Sequence, residues 1–124
     1  MVEAWTFADG TVPVTAESAV DTLRRAIADG RLESWLTSSS GRLLCVVSNT
    51  DRAMVMLLDR EGDPGEHAVD PGAEGWSSGF ILANGQGDEY ADEDTVPVAE
   101  AFQIVHHILS VGGPPADTAW AVDR

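Results

Sequence analysis

Residues 43–58 read LLCVVSNTDRAMVMLL and hold two apolar runs, Leu43–Ser48 and Ala53–Leu58, joined by Asn49-Thr50-Asp51. Short runs that are apolar throughout are typical of strands covered on both faces. A connection this short favours antiparallel neighbours. The stretch therefore predicts two adjacent central strands, around which the rest of the chain is arranged.

Further strand patterns lie on both sides of this pair. An opening strand is predicted at residues 5–8, where apolar side chains alternate before Asp9-Gly10, and another at 33–37. Residues 80–83 form a strand pattern that ends at Asn84-Gly85, the strongest short hairpin signal. A last strand is predicted at 118–122.

Two helices are indicated by apolar residues at helical spacing. Thr15 is a suitable N-cap for a helix over 16–29, and Gly30 is a suitable stop. Pro97 suits the start of a second helix that ends at Gly112. The sequence thus predicts one α+β domain over residues 1–124, in the order β-α-β-β-β-β-α-β. We expect a mostly antiparallel sheet of about five to seven strands with two helices packed on it.

Charge is distributed unevenly along the chain. The protein has a net charge of −14, and residues 59–100 contain twelve acids against one arginine, which is −11 of that total. A field of this sign repels nucleic acid and anionic membranes and attracts basic proteins. The longest apolar run has six residues and the N-terminus lacks a signal-peptide pattern, so we expect a cytoplasmic protein that does not engage the membrane.

Residues suited to catalysis are few. The chain contains no lysine, which excludes Schiff-base and phosphate-loop lysine chemistry. Cys45 lies within an apolar run, where a thiol is typically buried and inert. His106 and His107 are adjacent on the predicted helix and cannot chelate one ion as an i,i+4 pair does. We therefore predict no catalytic residue, no metal and no cofactor, and hence no enzyme.

The acidic run and a nearby tryptophan are the candidate binding residues. The run over 88–94 has two interpretations: a solvated loop before a helix, or a partner-binding edge. Trp76, in a glycine-rich stretch without regular pattern, either caps the core or anchors an interface. The predicted partner-binding residues are Trp76, Asp88, Glu89, Tyr90, Asp92, Glu93 and Asp94.

The order of short motifs in the last half of the chain resembles a known family. Trp76-Ser77-Ser78-Gly79 is followed by Asn84-Gly85-Gln86, an acidic stretch, Val96-Pro97 with an amphipathic helix, Gly113-x-Pro115 and Trp120. This order is similar to the first-numbered immunity protein family of bacterial polymorphic toxin systems, which is common in actinomycetes. The similarity covers about residues 70–124. The resemblance implies a Gly-basic-Pro turn, where this chain has Gly112-Gly113-Pro114-Pro115 and no basic residue.

The resemblance implies a cytosolic antitoxin. Such a protein binds a cognate toxin, often a nucleic-acid-targeting deaminase or nuclease domain, and occludes its basic surface or active site. Two other classes stay open: a small acidic regulatory interaction domain without a toxin, and a small enzyme whose pocket gathers His67 or His106 with an acid. The oligomeric state is open as well.

Overall fold

The computed structural model describes residues 3–123, so Met1, Val2 and Arg124 of the predicted 1–124 domain lie outside the described residues. Its helices are α1 (Ala16–Ala28) and α2 (Val98–Val111), with a 3-10 turn at Asp92–Asp94. The strands are β1 (Trp5–Phe7), β2 (Glu33–Ser38), β3 (Leu43–Ser48), β4 (Arg52–Leu58), β5 (Glu66–Ala68), β6 (Trp76–Ile81), β7 (Gly87–Ala91), β8 (Val96–Pro97) and β9 (Trp120–Val122).

Seven strands form one antiparallel sheet in the order β1-β2-β3-β4-β5-β9, and β8 pairs with the first residues of β4. Strands β6 and β7 form a separate two-stranded hairpin. The predicted α+β class, the mostly antiparallel sheet and the two helices are confirmed. So is the antiparallel pairing of β3 with β4, in which Val46 lies opposite Val55.

The apolar character of β3 follows from cover on both faces of the sheet. Side chains alternate along a strand. Leu44 and Val46 therefore join the core beneath the helices, whereas Cys45 and Val47 join a second core beneath the hairpin, around Phe80. The molecule thus has three layers: two helices, the sheet, and the β6–β7 hairpin on the opposite face.

The start of α1 and the end of α2 agree with the caps read from the sequence, whereas Pro97, expected in the first turn of the second helix, is the last residue of β8 and precedes α2. Thr15 and Ser18 form a capping box, in which each side chain accepts the other's backbone N–H at 3.0 and 2.9 Å. Gly112 has a φ of +88°, and its N–H donates to the carbonyl of Ile108 at 2.8 Å. This left-handed residue ends α2 as glycine does in many helices.

The structure corrects several predicted boundaries. Trp76 is the first residue of β6 and not a loop residue, and residues 88–90 lie within β7 and not in a loop. The strand pattern at 80–83 revealed only the end of β6, because a register shift between Ser77 and Phe80 interrupts the alternation. Strands β5 and β8 were not predicted; with three and two residues, they are too short for a periodic signal.

Candidate protein-binding surface

The β6–β7 hairpin is fixed to the sheet by its inner face. Phe80 is fully buried against Cys45 and Val47. The ring of Tyr90 packs edge-on against Phe80, with centroids 4.8 Å apart. These contacts give the hairpin a small core of its own, so its outer face is carried on a supported element.

Strand pairing shows which residues share the outer face. Directly paired residues of an antiparallel hairpin project to the same side. Trp76 pairs with Ala91, and Ile81 pairs with Gly87. Trp76 is 72% exposed and Ile81 is 43% exposed, so this side faces solvent. We call Trp76, Ile81, Gly87, Glu89 and Ala91 the outer hairpin face; Glu89 belongs to it because it lies two residues from both Gly87 and Ala91.

Two of the predicted binding residues, Asp88 and Tyr90, project inward instead. Asp88 pairs with the buried Phe80. The Tyr90 hydroxyl donates to Asp88 Oδ2 at 3.1 Å, and Gln86 donates to Asp88 Oδ1 at 2.8 Å. Burial, together with the Asp88 carboxylate, raises the pKa of Tyr90 to about 12. Both side chains therefore contribute to the packing of the hairpin.

Asp92 is half-buried and takes part in holding the segment that follows the hairpin. Its carboxylate accepts the hydroxyl of Ser77. Its carbonyl accepts Arg52 at 3.1 Å, and the same guanidinium donates to the Thr95 hydroxyl and to Asp70 Oδ2, each at 2.7 Å. Arg52 therefore ties the 3-10 turn to β4. This role of Arg52 was not predicted, since its only local signal is that Arg52 is the single basic residue between the two apolar runs.

Asp94 also has a partner within the chain. The His67 ring lies between two carboxylates, with Nε2 3.0 Å from Asp94 Oδ1 and Nδ1 2.8 Å from Asp123 Oδ2. Burial alone lowers the pKa of His67, but the hydrogen bonds to Asp123 and Asp94 outweigh it, so the pKa is raised above its ordinary value. This cluster links the acidic segment to the residues after β9.

Glu89 and Glu93 are the two predicted acids whose side chains point into solvent. Both are exposed, and neither carboxylate forms a hydrogen bond or ion pair with any residue in the described range 3–123. Of the seven predicted residues, the structure therefore brings Trp76 and Glu89 together on one exposed face. Glu93 is exposed just beyond the end of β7.

A groove between the two helices is the main alternative site. It has a volume of about 590 Å³ and is lined by Val20, Arg24, Ala99, Phe102, Gln103, His106, His107 and Ser110. His106 Nε2 lies 3.3 Å from Glu17 Oε1, so a histidine and an acid do meet at this groove. The classification as a non-enzyme therefore stays a prediction.

Other chemistry-bearing groups lie away from that groove. Burial raises the pKa of the Cys45 thiol, and this disfavours the reactive thiolate. Within residues 3–123, no group of three or more His, Cys, Asp or Glu side chains is arranged to hold a metal ion. Neither α1 nor α2 is long and apolar enough to cross a bilayer.

No protein-family model matches this sequence, and no curated protein matches it either. The fold and the outer hairpin face define the chain as an α+β domain that presents an exposed tryptophan beside unpaired carboxylates. The immunity-family resemblance rests on the motif order within residues 70–124 alone.

Proposed function

We propose that this protein binds a basic protein partner through the outer hairpin face, and that the partner is a cognate polymorphic toxin which it neutralises. The observation that carries the proposal is the position of Trp76. Its indole is 72% exposed on a hairpin whose inner face is packed, beside the unpaired carboxylate of Glu89. Tryptophan is the residue type most enriched among the energetic anchors of interfaces.

Charge supports a basic partner. Residues 59–100, which include the whole hairpin, carry −11 of the net −14. Opposite fields accelerate association, and this acceleration declines as salt screens them. Rapid capture suits an antitoxin, since free toxin damages the producing cell.

The kind of partner comes from the family resemblance. A toxin that acts on nucleic acid needs a basic surface to hold its substrate. An acidic protein seated on that surface excludes the nucleic acid, and inhibition then follows from steric occlusion. An interface of roughly 1,600 Å² is sufficient for a specific complex.

Co-expression tests this proposal. The gene is expressed together with the protein encoded beside it, and cell survival and co-purification are measured. We expect survival and a one-to-one complex. Death of cells that hold both proteins, or the absence of a complex, would contradict the proposal.

The contribution of charge is tested at the two solvent-facing acids. Glu89→Lys together with Glu93→Lys should slow association and reduce its dependence on salt. Asp92 and Asp94 are unsuitable for charge reversal because their side chains bind Ser77 and His67. A matched control reverses Asp21 and Asp29, two exposed acids of the α1 region. Equal association rates for the two double variants would show that the outer hairpin face does not guide binding.

A further inference from the structure

Strand β7 has an open edge. The N–H of Leu82 donates to the carbonyl of Gln86, and the N–H of Asp92 donates to the carbonyl of Gly75. These two bonds show, at both ends of the hairpin, which residues bond across it. Hydrogen-bonded and non-bonded pairs alternate in an antiparallel ladder. The N–H and C=O groups of Asp88 and Tyr90 therefore point toward β6 and bond to it. The backbone groups of Gly87, Glu89 and Ala91 therefore point away from the hairpin.

Most of these outward backbone groups have no partner in the described residues. The exception is the carbonyl of Ala91, because Ala91 is the N-cap of the 3-10 turn and its carbonyl accepts the first hydrogen bond of that turn. No other strand within 3–123 pairs with β7, and none of the turn or side-chain hydrogen bonds there involves the backbone of Gly87, the backbone of Glu89 or the N–H of Ala91. The open edge ends at Glu93, whose carbonyl accepts the N–H of Asp70 at 2.8 Å. Both backbone groups of Gly87 and Glu89, and the N–H of Ala91, are thus available to an added strand.

The β6 side of the hairpin is different, because side chains of the main sheet region reach it. Asn49 Nδ2 donates to the carbonyl of Ser78 at 3.0 Å, and the N–H of Ala83, just after β6, donates to Glu33 Oε1 at 2.8 Å. Pairing along β6 is therefore obstructed at Ser78 and at Ala83, whereas no such side chain reaches the backbone of Gly87 or Glu89 within residues 3–123.

The outer side chains next to this edge are small except for Glu89. Gly87 has no side chain in front of Ile81, and a Cβ at Gly87 would lie 3.5 Å from Ile81 Cδ1. Ala91 stands in front of Trp76 in the same way. A third strand beside β7 would lie next to the Glu89 carboxylate. It would also reach Ile81 over Gly87 and the Trp76 indole over Ala91, because these two residues of β7 are small.

We infer that the open edge of β7 binds an extended, basic segment of the partner by β-strand addition, with a lysine or arginine opposite Glu89. This inference rests on the proposed function and specifies its binding mode. Main-chain hydrogen bonds supply affinity in this mode, and alternate side chains supply specificity. At every second position, the segment should have an apolar residue that faces Ile81, then the basic residue, then an apolar residue or an arginine that reaches Trp76.

Charge makes a second copy of this chain a poor occupant of the same edge. Pairing β7 with another β7 would bring Glu89 of each copy close together within two acidic segments. Like charges in opposing positions of a sheet are destabilising, and a charge on an edge strand is a common protection against self-pairing. The edge therefore favours a basic strand from another protein.

Ala91→Pro is the most specific test. Ala91 has a φ of −59°, which proline adopts without strain, and its N–H has no partner in the free protein. The variant should therefore fold normally but lose one edge donor and obstruct the added strand. Ala91→Val is the matched control, since it has similar bulk and keeps the N–H.

Both variants and the wild type are titrated with the protein encoded beside the gene. We expect Ala91→Pro to weaken binding about tenfold or more and Ala91→Val to weaken it less than about threefold, with unchanged thermal unfolding. Amide exchange at Gly87, Glu89 and Ala91 should slow about tenfold or more in the complex. If the wild type binds, Ala91→Pro binds equally well and the amide exchange does not slow, strand addition is wrong but the proposed function stands. Failure of wild type to bind overturns the proposed function too.

Discussion

The guanidinium of Arg52 lies 2.7 Å from the carboxylate of Asp70 and joins the start of β4 to the segment that leads from β5 into the hairpin. Arg52 begins β4, and Asp70 lies between β5 and the hairpin. The same guanidinium also donates to the carbonyls of Asp92 and Thr95. One side chain thereby fixes both ends of the chain segment that carries the hairpin.

Arg52→Met should destabilise the protein by about 2–4 kcal/mol, because it leaves several half-buried acceptors without their donor. Urea unfolding measures the change. Arg31→Met is the control: Arg31 lies 3.7 Å from Asp29 with both side chains mostly exposed, so its loss should cost less than about 0.5 kcal/mol. Equal unfolding midpoints for the two variants would show that Arg52 has no special role.

Phe80→Ala should cost about 3–5 kcal/mol, since it empties the centre of the second core. Ile81→Ala, at the neighbouring but partly exposed position, should cost under about 1.5 kcal/mol. Chemical denaturation of both variants gives the comparison. If Phe80→Ala and the wild type have the same denaturant midpoint of unfolding, packing of Phe80 against the sheet does not support the hairpin.

His67 should make stability depend on pH above its unfolded pKa of 6.5. Its pKa is raised in the folded state, so the folded chain holds the proton more tightly than the unfolded chain. This stabilisation is fully present below pH 6.5, the unfolded value, and is lost as the pH rises through the folded pKa. The groups facing the ring are Asp94 and Asp123.

His67→Gln should remove that dependence. Unfolding free energies measured between pH 5.5 and 8.5 should decline for the wild type and decline less for the variant. His106→Gln is the control, because His106 is only partly buried and meets the exposed Glu17 at 3.3 Å. Parallel pH profiles for wild type and His67→Gln would contradict the role assigned to the two carboxylates.

The sequence predicted those parts of the fold whose signals are local. Leu44 and Val55 lie in apolar runs long enough to mark central strands, and Thr15 and Gly112 mark helix ends by cap chemistry. Strand β5 was not predicted because its three residues owe their conformation to pairing with Leu57 on one side and with Trp120 on the other, and Trp120 is distant in the sequence.

The types of residue in the candidate site were predicted, but the direction in which each side chain points was not. An acidic run indicates a charged segment, but the strand period that sends Tyr90 inward and Glu89 outward required knowledge that β7 is a strand. Asp92 and Asp94 received partners from Ser77 and His67, which are distant in sequence. No local sequence pattern predicts such contacts, so all the acids of residues 88–94 were expected to be equally exposed.

We expect Trp76 to anchor the protein interface, so the affinity of Trp76→Ala is the decisive measurement. Val12→Ala is the matched control, since Val12 is 73% exposed and Trp76 72%. Both are titrated calorimetrically with the protein encoded beside the gene. We predict that Trp76→Ala binds about 30-fold or more weakly with unchanged thermal unfolding, whereas Val12→Ala binds as wild type does. Wild-type affinity in Trp76→Ala would contradict the account.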